Sequence, residues 1–147
     1  MRRLRTFFHL PLAQQYLLGQ SVLLLGAIRL GLWLLPFRTV QHLVARTARK
    51  SPEAQEADGA IVDRVVWVVR VASRCVPNAT CLTQALVTQV LLARRGHPVH
   101  LRIGVTRSET GEFQAHAWVE CQGRVVIGGA SAPVRFTPFP PLDGKRL

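Results

Sequence analysis

An α+β fold, helices first and an antiparallel sheet after them, is predicted by three features of this 147-residue chain. The first third is basic, apolar and free of acids. The middle repeats apolar residues at three- and four-residue spacing, and the last third alternates apolar with polar residues between turn signals. The length suits one domain with a modest core, or a small domain with an appendage. An apolar share of 48% against 18% charged residues belongs to a chain that folds.

The front segment comes first. Residues 1–50 hold eight Arg or Lys and no Asp or Glu, whereas the remainder holds eleven basic and eight acidic residues, so the net charge of +11 is concentrated at the start. Such a surface suits anionic lipid, nucleic acid or an acidic partner. Nucleic acid is the weakest of these, because the basic residues are scattered without an aromatic–basic platform. The most hydrophobic run, "YLLGQSVLLLGAIRLGLWLLPF" at 16–37, follows "MRRLRTFFHLP" and closes at Pro36. Its length approaches the ~20 apolar residues of a bilayer span, but Arg29 at its centre would cost about 2.5–3.5 kcal/mol there. One or two helices packing on the domain or a partner are expected, with peripheral membrane contact through residues 1–37 as the alternative. No small-residue cleavage pattern follows, so a signal peptide is not expected.

"RKSPEAQEADGA" at 49–60 is the one sharp change of composition, and it divides the chain into a hydrophobic, basic helical segment (1–50), a linker (51–60) and a core (61–147). In "IVDRVVWVVRVASRCV", 61–76, Ile61, Val65, Val68, Val69 and Ala72 recur at helical spacing, which outweighs the strand preference of valine; Pro77 ends the helix. "NATCLTQALVTQVLLARRG", 78–96, offers Asn78 and Thr80 as turn and cap, an apolar stripe through Leu82, Ala85, Leu86, Val90 and Ala93 with one polar interruption at Gln89, then Arg94, Arg95 and Gly96 as a stop. Three strands are expected next, in "HPVHLRIGVT", "FQAHAWVEC" and "RVVIGG", the last two joined by a Gln122-Gly123 hairpin turn. The Pro-rich tail "APVRFTPFPPLDGKRL" is expected to run extended along the surface.

Cys75, Cys81 and Cys121 are an odd count at irregular spacing, which argues against a disulfide framework and for a reducing cytoplasm. No CxxC or HxxxH pair completes a zinc site, and "IGGA" lacks the rest of a phosphate-binding loop, so neither metal nor cofactor is expected.

Cys81 falls in the first turn of its helix, where free amides and the positive helix end favour a thiolate. The competing role is simple packing, since free cysteine is among the most buried residue types. His116 in "QAHAWVE" supplies a base on a following strand, on the face opposite Ala115, Ala117 and Val119. A thiol served by an imidazole is the minimum for nucleophilic acyl chemistry. His9, His42, His97 and His100 show that histidine also serves elsewhere in this chain. If the hairpin turn pairs Cys121 with Arg124, Val119 with Val126 and Ala117 with Gly128, then His116 stands beside Gly128 and Gly129, where no carboxylate is available. Glu120 lies about 13 Å along the strand, too far to touch the ring. Asp63, Asp143, a backbone carbonyl or a water are the remaining candidates for an orienting group, and the third role is left unassigned.

Together "VPNATCLTQALVTQVLLARRGHPVHLRIGV", "AHAWVE" and "GRVVIGG" resemble the transglutaminase-like cysteine protease of lasso-peptide biosynthesis over roughly residues 61–140. The length resembles the discrete protease form, without a fused leader-recognition domain. The resemblance implies a transglutaminase/papain-like core with a Cys-bearing helix on an antiparallel sheet, with Cys81 as nucleophile and His116 as its histidine. The family often carries an aspartate twelve residues after that histidine; here the position is Gly128. The implied activity is removal of the leader from a ribosomally made precursor peptide, with a leader-binding recognition protein and an ATP-dependent cyclase as partners. Acyl transfer by the same pair, and a non-catalytic membrane or partner adapter built on the front segment, are the competing functions.

Overall fold

The computed structural model describes residues 11–48, 58–107, 111–128 and 137–138. These form α1 (Leu12–Leu34), α2 (Phe37–Ala48), α3 (Gly59–Ser73), α4 (Cys81–Ala93), β1 (Val99–Arg107), β2 (Phe113–Cys121), β3 (Arg124–Ile127) and β4 (Thr137–Pro138). All strand pairs are antiparallel, in the order β3-β2-β1-β4. An α+β fold, with an antiparallel sheet after the helices, is what the residue pattern predicted.

Local chemistry sets the helix ends. Pro36 cannot continue α1, and its carbonyl starts α2 by accepting from Thr39. The Asp58 carboxylate caps α3 through the Ala60 amide at 2.9 Å, which brings the last residues of the expected linker into the helix. Residues 51–57 of that linker lie outside the described ones. The helix ends at Ser73, earlier than the pattern suggested, and Cys75 is exposed in the turn that follows. Thr80 caps α4 as expected, its hydroxyl accepting from the Thr83 amide. Gly96 leaves α4 with a φ of +77°.

α4 is the centre of the molecule. The sequence suggested a single apolar stripe, yet Val87, Thr88, Leu91 and Leu92 are buried along with Ala85, Leu86 and Val90. A helix buried all round needs cover on every side, and α4 has it: α1, α2 and α3 pack on one side, the sheet on the other. The Thr88 hydroxyl, buried among these groups, is satisfied by donating to the Gln84 carbonyl at 2.9 Å.

α1 has the length and composition to cross a membrane. One of its faces is nonetheless core: Leu17, Leu18, Leu25 and Ile28 are buried in the same cluster as Val65, Leu86 and Val119. The front segment therefore packs on the rest of the chain along that face.

The sheet departs from expectation in two places. Gln122 and Gly123 take positive φ values of 50° and 75°, the twist that suits a two-residue hairpin, and Cys121 pairs with Arg124 as predicted. Beyond that point Val119 pairs with Ile127 rather than Val126, because a β-bulge inserts one residue between Val119 and Glu120 and their partners. The extra residue lets consecutive Val126 and Ile127 both be buried, which strict alternation forbids. Second, the tail is more than a surface strap, since Thr137 and Pro138 pair with Val105 and Gly104 and add β4 at the sheet edge. Proline, which has no N–H to give a ladder, is tolerated at an edge.

Candidate active site

Cys81 is the first residue of α4 and is half-buried, packed against the core. Its turn is built by local bonds: the Thr80 hydroxyl meets the Thr83 amide, the Gln84 amide donates to the Thr80 carbonyl, and the Gln84 side chain donates to the Ala79 carbonyl. The amides of Cys81 and Leu82 have no carbonyl one turn earlier to receive them and form the positive end of the helix. Asn78, with a φ of +56°, turns the chain into this cap. Asparagine tolerates that conformation better than most side chains.

A residue the sequence did not suggest holds this loop. Arg29 of α1 donates from Nη1 to the Asn78 carbonyl at 2.7 Å. The charge that would have penalised a membrane span thus has a specific bond three residues before the cysteine. Nothing in the sequence joins positions 49 apart; only the packing of α1 beside α4 does so.

His116 lies on β2. Alternation gives Ala117, Val119 and Cys121 to the face packed by the helices, and His116, Trp118 and Glu120, all half-buried, to the other. The imidazole Nε2 bonds the Gly128 carbonyl oxygen. A carbonyl only accepts, so Nε2 carries the proton of this bond, which in a neutral ring leaves the lone pair on Nδ1. The backbone carbonyl that the sequence offered as one candidate orienting group is therefore in contact with the ring. Gly128 itself has a φ of +84°, and a Cβ there would lie 2.5 Å from the Ala117 oxygen and 2.8 Å from the Trp118 Cα, so the strand admits no side chain at this position.

Trp118 supports the same ring. Its indole lies 6.5 Å from the imidazole, centroid to centroid, with 22° between the planes. The indole N–H donates to Glu120 Oε1 at 2.9 Å, and Arg102 donates to Glu120 Oε2 at 3.3 Å. Glu120 is thus committed to Trp118 and Arg102. Asp63 is committed too, bonded to Arg124 at 2.7 Å near the hairpin, away from His116. Asp143 and His9 lie outside the described residues.

Along the chain the two candidate residues lie at similar distances from the turn between α4 and β1, with the helices packed on one face of the sheet and His116 on the other. Counting back from Ala93, Cys81 lies about 18 Å along α4. From Val99, where the chain returns, to Gly104 is about 17 Å of strand, and Gly104 is the register partner of His116. The other thiols are placed differently. Cys121 sits at the far end of β2, where burial pushes its thiol pKa up against the opposing pull of Arg124. His97 is buried where α4 turns into β1, and His42 and His100 are exposed. No cluster of three metal-ligating side chains occurs among the described residues.

No curated protein and no solved structure matches the chain. The family model of the transglutaminase-like superfamily, which includes cysteine peptidases and acyltransferases, matches residues 22–140. That span runs from within α1 to beyond β4 and includes both Cys81 and His116, so the chain belongs to the transglutaminase-like superfamily.

Proposed function

We propose that this protein is a cysteine peptidase that removes the leader from a ribosomally made lasso-peptide precursor, with Cys81 as nucleophile and His116 as general base and acid. The observation that carries this reading is the bond from His116 Nε2 to the Gly128 carbonyl. It fixes the tautomer in which Nδ1 can take the thiol proton, the orienting task usually given to a carboxylate. Membership of a superfamily that includes cysteine peptidases supports it, as does the seat of Cys81 on a capped helix start.

In the reaction, the Cys81 thiol passes its proton to His116 Nδ1 and its sulfur bonds the carbonyl carbon at the leader–core junction. The Cys81 and Leu82 amides are the economical donors for the resulting oxyanion. The C–N bond then breaks as the imidazolium gives its proton to the core amine. Water, losing a proton to the imidazole, cleaves the thioester and frees the leader carboxylate and the thiol. The first transfer requires the imidazole, carried on the face of β2 away from the helices, to come round the strand edge to the Cys81 thiol. The reaction calls for a leader-binding recognition protein to deliver the precursor and a separate ATP-dependent cyclase to close the ring. Three free cysteines suit the cytoplasm, where the precursor is made.

The test is to incubate the protein and its leader-binding partner with the precursor and weigh the products for wild type, Cys81→Ala and His116→Ala. The expected result is a peptide shortened by its leader, absent with either variant. Attachment of an added amine to the precursor, instead of cleavage, would assign acyl transfer. Maturation that persists in Cys81→Ala would assign the adapter role.

A further inference from the structure

The outward face of α1 carries Leu12, Tyr16, Gly19, Leu23, Gly26, Leu30 and Trp33, all exposed and spaced alternately by four and three residues. This is a heptad seam of period 3.5, without a charge along it, on the side of the helix opposite the buried Leu17, Leu18, Leu25 and Ile28. Leu12, Tyr16, Leu23, Leu30, Trp33 and the neighbouring Leu34 are 55–82% exposed. Side chains of this size present on the order of 800 Å², about what each partner of a standard interface buries and more than a monomer usually leaves uncovered.

The seam is complementary to itself. In an antiparallel pair of helices, the two heptad positions face one another across the axis. Setting Leu23 opposite Gly26 of a second copy also sets Leu30 opposite Gly19 and Tyr16 opposite Trp33. Leu23 and Leu30 then each meet a glycine, and each of these Leu–Gly layers is repeated by the twofold axis. A Cβ at Gly19 or Gly26 would meet nothing within 4 Å inside the protomer, so the chain's own packing does not account for glycine at either position. Glycine there weakens the helix and is useful where another backbone comes close. A lipid surface would gain nothing from glycine at heptad spacing.

We propose that α1 is a homodimer interface, with two copies packing antiparallel through this seam and leucines seated over glycines. The pairing leaves the face of α1 that carries Arg29 toward α4, so the dimer and the Arg29–Asn78 bond coexist in one protomer. Both protomers keep their candidate active sites, and the inference does not depend on what those sites do.

The test is sedimentation of the full chain over 1–100 μM, for wild type and for Gly26→Leu and Leu23→Glu, with circular dichroism to show that each variant is folded. The expected result is a wild-type dimer whose dissociation constant rises at least tenfold in both variants, and whose affinity grows with salt as the +11 charges are screened. Orientation is read by mixing Leu23→Cys with Gly26→Cys in a Cys75→Ser background: a disulfide between the two variants is expected, and one formed within Leu23→Cys alone would mean a parallel pair and overturn the proposal. A wild type that stays monomeric throughout, or a dimer indifferent to both seam substitutions, would overturn it as well. If the monomer instead binds anionic vesicles, more weakly in salt and through Leu23, the face belongs to lipid.

Discussion

A methyl group built on Gly128 would crowd the Ala117 oxygen and the Trp118 Cα, so substitution there must move the carbonyl that receives the His116 Nε2–H. Gly128→Ala should therefore slow turnover at least tenfold, while the strain of a side chain at positive φ costs about 1–3 kcal/mol in a urea titration. Gly128→Asp, which places there the aspartate that the resemblance to lasso-peptide proteases would supply, should not raise activity, because the backbone at this point leaves no space for its Cβ. A stability effect without a rate effect would mean that the carbonyl does not orient the ring. Cys121 yields a second prediction. Burial raises its thiol above the ordinary cysteine value. Below that value both folded and unfolded chains hold the proton, and the group contributes nothing to the pH dependence. Above it the unfolded chain loses the proton while the folded one keeps it, so stability falls as pH rises. Thermal melts between pH 7 and 10 should show a decline that Cys121→Ala flattens.

At the scale of elements, the loop before α4 is fastened to α1 by Arg29. Arg29→Gln should lower kcat about tenfold, equivalent to about 1.4 kcal/mol of barrier, with KM little changed, since the loop positions Cys81 and touches no substrate. A change confined to KM would argue that Arg29 contacts the peptide. The Asp63–Arg124 pair joins α3 to β3 on the surface, with both side chains more than half exposed. Asp63→Asn should shift stability by less than about 1 kcal/mol and leave turnover intact, which would remove Asp63 from the candidate orienting groups. These elements were unequally legible. α4 could be read closely because its cap, its apolar residues and its glycine stop are all local in sequence. The β3 register could not, because alternation has no way to announce a bulge, and burial of both Val126 and Ile127 decided it. Cys81 and His116 are candidates by residue type and placement, to which the structure adds the capped helix start and the Gly128 contact. Arg29 was not legible, because only tertiary packing brings it to Asn78. Trp118 lies two residues from His116 on the same strand face, but its anchor on Glu120 required the fold.

For the whole molecule, the front segment and the rest share one hydrophobic cluster, with Leu25 and Leu86 both fully buried. Leu25→Ala should cost about 2–5 kcal/mol, as for any large side chain removed from a packed core. Deleting residues 1–34 should therefore abolish cooperative unfolding rather than release an independent appendage. Truncation alone cannot then separate the peptidase from an adapter, whereas point variants at Cys81 and His116 can. The pairing of those two side chains is the claim on which the proposed chemistry rests, and it can be measured without a substrate. In a Cys75→Ser background, the rate of iodoacetamide alkylation of Cys81 at pH 7, followed by peptide mass, should fall at least tenfold when His116 becomes Ala and should be unaffected by His100→Ala. An alkylation rate that is the same with and without the His116 imidazole would contradict the account.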